Sequence, residues 1–249
     1  MSESGVIPQN FKILEIASIP RIRAAIFDLN GTMTDDETLQ YEVYAQTFAD
    51  EAGLHLERDI YFTHLAGLCD SDLIRQAFIQ AGTAIPGEST VRRIGQRRIS
   101  RYLERVGSAS PVRAGAAELV WELRQHIPLA VVTGAPRGEA EPVLRAARLL
   151  DAFMTVVTGD DVEHGKPSPE GFLLALDRMR GLVWDLLPSE VVVFEDSLPG
   201  VLAARCAGMR CVAVHLRREA DGHAADVTAR QLDAKLLGPS REPAAAPRR

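Results

Sequence analysis

Five short apolar runs, each giving way to a turn-forming or polar residue, constrain this chain more than any other feature. Ile22, Ala24, Ala25, Ile26 and Phe27 form the first, which ends against Asp28. Similar runs occupy Leu129 to Val132, Val191 to Phe194 and Cys211 to Val214, and Phe153 to Val157 makes a weaker one. Runs of roughly four to eight apolar residues bounded by turn signals read as strands covered on both faces.

Between these runs the period becomes helical. Val143, Leu144, Ala147 and Leu150 share one stripe, with Pro142 expected in the first turn. Ser168-Pro169-Glu170 reads as a cap followed by a first-turn proline, and Phe172, Leu173, Leu176 and Met179 line the face behind it. Ser197 and Pro199 open another helix that closes on Gly208. Strands alternating with helices of this length predict an α/β fold, a doubly wound parallel sheet with helices on both faces. Ligands of such sheets bind outside the carboxyl ends of the strands. Asp28, Thr133 and Asp196 all fall there.

Roughly a hundred residues separate the first run from the second, too many for one crossover. Most of that stretch reads as helical, with stripes at Leu39, Val43, Phe48 and Ala52, at Leu73, Ile74, Ala77 and Phe78, and at Ile94, Ile99, Leu103 and Val106. A helical bundle inserted there would sit over the strand ends as a lid. The expected organisation is an N-terminal extension (1–19), a core from 20–35 and 108–238, a helical cap (36–107) and a flexible tail (239–249).

The formal charge of −6 offers no general attraction to nucleic acid or to a membrane surface. No apolar run approaches the ~20 residues of a spanning helix, and the N-terminal stretch lacks the basic start and apolar centre of a signal peptide. A cytoplasmic protein is expected. Cys69, Cys206 and Cys211 are widely spaced without a Cys-x-x-Cys pair and read as reduced thiols. His64, His164 and His215 lie apart and read as non-catalytic. Oligomeric state is not legible.

Four segments at the ends of the expected strands carry chemistry: Asp28-Leu29-Asn30-Gly31-Thr32, Thr133-Gly134, Lys166-Pro167 and Glu195-Asp196. Together they supply a carboxylate nucleophile, a hydroxyl beside free backbone amides, a cation and an acidic pair. Phosphoryl transfer asks for this set, because the protein's work is to position a nucleophile and to neutralise the equatorial oxygens. Asp28 can attack phosphorus and form an aspartyl phosphate. Carboxylates facing a phosphate need a hard cation between them, so Asp28 and Asp196, with Glu195, suit Mg²⁺. Lys166 and Thr133 complete the neutralisation, and Gly134 lets backbone N–H groups approach the phosphate.

Phe-Asp-Leu-Asn-Gly-Thr at 27–32, Val-Val-Thr-Gly at 131–134, Gly-Lys-Pro-Ser-Pro-Glu at 165–170 and Phe-Glu-Asp-Ser-Leu-Pro-Gly at 194–200 closely resemble the haloacid dehalogenase-like superfamily of phosphatases and phosphomutases. The resemblance spans about residues 20–215 and implies a Rossmann-like core with a small α-helical cap. It implies Asp28 as nucleophile and Thr133 and Lys166 on the phosphoryl group. Magnesium would be ligated by Asp28, Asp196 and the main-chain carbonyl of Asn30, with Glu195 as a further candidate. The implied partner is a small phosphorylated metabolite, such as a sugar phosphate.

Position 30 departs from the pattern. The family usually carries there an aspartate that protonates the leaving oxygen and then activates water, whereas Asn30 can donate a hydrogen bond but cannot exchange a proton at neutral pH. Three explanations stand: proton transfer by Asp35 or Asp36, a leaving group that needs little protonation, or a slow, non-catalytic or deliberately substituted chain. Hydrolysis of a phosphate monoester leads, and a β-phosphoglucomutase-like phosphomutase is the nearest rival. The Gly67-Leu68-Cys69-Asp70-Ser71-Asp72 segment has no basic residue to hold a second phosphate, Arg75 being the nearest, and this favours a phosphatase. A receiver-type signalling domain shares the aspartate, threonine and lysine but has no helical lid.

Overall fold

The computed structural model describes residues 14–107, 109–216 and 223–238; the tail at 239–249 and residues 1–13 of the extension lie outside them. Strands β1 (Leu14–Ile16) and β2 (Ile19–Ile22) form an antiparallel hairpin. Strands β3 (Ala24–Phe27), β4 (Leu129–Val132), β5 (Thr155–Val157), β6 (Val191–Glu195), β7 (Arg210–Val214) and β8 (Val227–Ala229) form one parallel sheet in the order β5-β4-β3-β6-β7-β8.

The central strands are apolar throughout because both faces are covered. Ala25 and Phe27 of β3 point into one core cluster and Ala24 and Ile26 into the other. Helices α5 (Ala114–Leu123) and α6 (Arg137–Ala146) bury their apolar stripes in the first cluster. Helices α7 (Glu170–Arg180) and α8 (Leu198–Cys206) do so in the second. Phe27 and Phe194, paired in register across β3 and β6, stack with ring centroids 4.8 Å apart. The chain leaves β3 toward β4 and β5, then returns to β6 on the other side. That reversal opens a crevice at the carboxyl ends of β3 and β6, where such sheets bind ligands.

Between β3 and α5 lie α1 (Glu37–Ala52), a short α2 (Arg58–Ile60) continuing into a π-turn at Tyr61–Leu65, α3 (Asp70–Gln80) and α4 (Glu88–Val106). They pack around an apolar cluster of their own that includes Phe48, Leu65, Ile74 and Ile94. Among the described residues, no helix is long and apolar enough to cross a membrane.

Several local expectations change: Leu173 is exposed on α7, whose N-cap is Pro169 rather than Ser168, and Leu150 lies beyond α6. Helix α6 begins at Arg137, so Pro142 sits in its second turn rather than its first; a proline there removes the bond to the Gly138 carbonyl. Helix α1 buries Gln40, Val43, Tyr44, Thr47 and Phe48, while Ala52 is exposed. Helix α4 buries Val91, Ile94, Gly95, Arg98 and Tyr102, leaving Ile99, Leu103 and Val106 only half-buried. Polar side chains occupy these buried faces because other elements supply their partners, as the site shows.

Candidate active site

Asp28 is the first residue beyond β3, where its N–H donates to the Phe194 carbonyl at 3.0 Å. Lys166, from the loop before α7, donates to Asp28 Oδ1 at 2.6 Å, to Glu195 Oε1 at 2.5 Å and to the Val132 carbonyl at 3.1 Å. Asp196 follows β6 and accepts from Thr32 Oγ1 at 2.8 Å. Thr133 follows β4; its hydroxyl accepts from the Ala135 N–H at 3.1 Å and donates to Asn30 Oδ1 at 3.4 Å. Asp28, Thr133, Glu195 and Asp196 are thus brought together at adjacent strand ends, and Lys166 joins them from a loop well past β5 rather than from the strand end expected of it, all buried.

Two glycines make the packing possible. Gly31 has φ +82°, and a Cβ there would lie 2.2 Å from Asp196 Oδ2. A Cβ on Gly200, in the first turn of α8, would lie 1.9 Å from the Glu195 carboxylate. Glu195 is fully buried beneath that turn. Its Oε2 accepts from the Asp196 N–H at 3.1 Å, the Ser197 N–H at 3.3 Å and Ser197 Oγ at 3.0 Å. With Oε1 on Lys166, both its oxygens are engaged, so its evident work is to fix Lys166 and the start of α8.

Asp28, Glu195 and Asp196 each offer a carboxylate oxygen within 4.8 Å of the others. Burial pushes Asp28 up to about 7 against the pull of Lys166. Burial, and then the charges of Asp28, Glu37 and Glu195, hold Asp196 well above the usual carboxylate range. Burial disfavours the Lys166 charge, but Asp28 and Glu195 outweigh it and hold its proton more tightly than usual. Three carboxylates share one ammonium, and this uncompensated charge in an all-oxygen donor set fits a hard divalent cation such as Mg²⁺.

A cavity of about 60 Å³ lies beside Asp28, Asn30, Thr133, Gly134 and Asp196, between the sheet and the helical bundle. The bundle's Gly67–Cys69 loop closes one side. A Cβ on Gly134 would lie 2.9 Å from the Leu68 carbonyl, and one on Gly165 3.0 Å from Cys69 Sγ. Gly134 is therefore required by the docked loop, a constraint separate from the phosphate approach expected of it.

The opposite wall contains Gln40, Tyr44, Asp70, Arg98 and Glu139. Arg98 is 1% exposed and donates to both Asp70 and Glu139, with its guanidinium 4.9 Å from the Tyr44 ring centroid. Gln40 Nε2 donates to Glu139 Oε1 at 2.7 Å, and Asn30 Nδ2 lies 3.4 Å from that oxygen and from Asp36 Oδ2. Burial raises Glu139 against the pull of Arg98. Sequence reading missed this network; its faint signal was Arg98 and Tyr102 one turn apart on α4, inside an otherwise apolar stripe.

Other expected residues fall elsewhere. Arg75 pairs with Glu88 at 2.6 Å and does not line the cavity. Asp35 pairs with Arg113 at 2.8 Å on the surface. Asp36 is buried beneath Asn30, bonded by Thr34 and Tyr102. None of His64, His164 and His215 lines this cavity, and the three cysteines are free thiols.

A profile of the haloacid dehalogenase-like hydrolases matches residues 22–208, from β2 to the turn after α8. The chain belongs to the haloacid dehalogenase-like hydrolase family. It is 31% identical over 212 residues to validoxylamine A 7'-phosphate phosphatase of Streptomyces hygroscopicus subsp. limoneus, covering 84% of this chain and 94% of that one. It is 32% identical over 188 residues to the phosphorylated carbohydrates phosphatase of Thermotoga maritima, covering 76% and 82%. Its fold also matches the crystal structure of CbbY from Rhodobacter sphaeroides in complex with phosphate, with a TM-score of 0.72, 28% identity, and coverage of 86% and 96%. The chain is thus an enzyme of the hydrolase class with named phosphatases among its relatives.

Proposed function

We propose that this chain hydrolyses a small phosphate monoester, a sugar phosphate or similar metabolite, through an aspartyl phosphate on Asp28, with residues 36–107 acting as the cap. The observation that carries the reading is the buried Asp28 carboxylate, held at a strand end by Lys166 and flanked by Thr133 and Asp196. Two relatives, one named as a validoxylamine A 7'-phosphate phosphatase and one as a phosphorylated carbohydrates phosphatase, support the substrate class.

In this mechanism a carboxylate oxygen of Asp28 attacks phosphorus and the ester oxygen leaves. Lys166, the Thr133 hydroxyl and the backbone N–H groups at Gly134 carry the negative charge of the transferring group. Asp28, Asp196 and the Asn30 carbonyl would hold magnesium, which would offset that charge further. Glu195 acts by fixing Lys166. Asn30 holds its place by hydrogen bonds but moves no proton, so both expulsion of a poor leaving group and hydrolysis of the aspartyl phosphate are slow. General acid–base help of this kind is worth about 10²–10⁴-fold.

The test is phosphate release from a panel of sugar monophosphates, with Mg²⁺ and with a chelator. Slow, metal-dependent release that accelerates in Asn30→Asp supports the reading. Release that ignores the chelator sinks it. The mutase alternative calls for a cation for a second phosphate, and among the described residues lining the cavity the one cation, Arg98, is already paired, which favours the phosphatase reading.

A further inference from the structure

The wall facing Asp28 combines one guanidinium with two carboxylates. Arg98 reaches Asp70 with one terminal nitrogen and Glu139 with the other, and both acids line the same cavity as Arg98. Among the described residues lining the cavity, Arg98 is the sole cation, and its charge is spent on these partners. Its Nε, by contrast, is buried without a hydrogen-bond partner. Tyr44 adds an aromatic face and a hydroxyl donated to Asp70, and Gln40 a carboxamide.

A second phosphate would enter this half of the cavity with about two negative charges, beside carboxylates whose counter-charge is already used. Like charges brought together in a partly enclosed site disfavour binding. A neutral hydroxyl can donate to the Asp70 carboxylate lining the cavity, and an ammonium gains from the carboxylate excess. We infer that this half of the cavity selects monophosphorylated polyols, favours those bearing a protonated amine, and turns away bisphosphates, with Arg98, Asp70 and Glu139 as the specificity-determining group. The inference rests on the phosphate-ester reading of Asp28 and adds to it the chemistry of the substrate's other end.

Four-carbon phosphate esters that differ only at the far end isolate the effect: 4-hydroxybutyl phosphate, 4-aminobutyl phosphate and butane-1,4-bisphosphate, with inorganic phosphate as reference. Calorimetric binding to the intact chain in Mg²⁺ avoids any dependence on turnover. The amine is expected to bind at least about threefold more tightly than the alcohol, and the bisphosphate about tenfold more weakly. Asp70→Asn should narrow both gaps, each read relative to inorganic phosphate bound by the same variant. Bisphosphate binding as tightly as the alcohol, or amine binding more weakly than the alcohol, overturns the inference while leaving Asp28 as the phosphate site. Failure of inorganic phosphate and every ester to bind overturns the phosphate site itself and this inference with it.

Discussion

Lys166 Nζ donates to Asp28 Oδ1 at 2.6 Å, and both side chains are buried at the carboxyl end of the sheet. The same ammonium reaches Glu195, so one cation balances two acids of the three-carboxylate group. Removing it leaves buried charges without compensation. Lys166→Met is expected to lower stability by roughly 3–5 kcal/mol and to abolish measurable phosphate binding. Denaturant unfolding and calorimetry check the two effects separately.

The raised Asp28 gives a pH dependence whose sign is fixed. Its ordinary value is 3.8, and in the folded chain it rises to about 7, mainly through burial. Between those values the native state keeps a proton that the unfolded state has lost. Metal-free stability therefore falls as pH rises from about 4 to about 7, and this contribution levels off above that. Asp196, raised by burial and by its acidic neighbours, acts in the same direction. Thermal melts in a chelator should show Tm declining across this window. Added Mg²⁺ should raise Tm more at pH 8 than at pH 5, since it binds the ionised carboxylates.

Gly134→Ala tests the docking of the bundle on the sheet. The added methyl would meet the Leu68 carbonyl at 2.9 Å, a backbone atom with little freedom to give way. Expected are a loss of about 1–3 kcal/mol and an increase in KM for any productive ester, with folding retained. Gly138→Ala in α6 is the control, because nothing lies within 4 Å of its Cβ. It should be neutral or stabilise by about 0.4–1 kcal/mol.

Arg98→Met strands Asp70 and Glu139 and should cost roughly 3–5 kcal/mol. Adding Glu139→Gln should recover part of that loss, because one of the stranded charges is removed. Denaturation of the two single variants and the double variant gives the coupling directly.

Strands β3, β4, β6 and β7 were legible because burial on both faces leaves an unbroken apolar run. Strands β1 and β8 were not, since Leu14–Ile16 and Val227–Ala229 are too short to show a pattern. The β1–β2 turn places Ala17 at φ 49° and Ser18 at φ 65°, without the glycine or asparagine that usually marks such a turn. On α4, apolar spacing favoured Ile99, Leu103 and Val106, whereas the buried face carries Arg98 and Tyr102. Their partners Asp36, Asp70 and Glu139 come from three separate segments, so only the tertiary fold makes that burial affordable. Asp28 and Asp196 were legible because each follows a readable strand, and Lys166 because its Lys-Pro segment precedes the readable helix α7. The role of Glu195 in holding Lys166 and Ser197 was not, because it depends on the side chain's rotamer under Gly200.

The most direct test of the account is a rapid-mixing measurement of p-nitrophenolate release from p-nitrophenyl phosphate in Mg²⁺, whose leaving group needs little protonation. Transfer to Asp28 should then be fast and hydrolysis of the aspartyl phosphate slow. The account predicts a burst stoichiometric with the chain, absent in Asp28→Asn, and a steady rate raised about 10²–10⁴-fold in Asn30→Asp. Undiminished release by Asp28→Asn would contradict it.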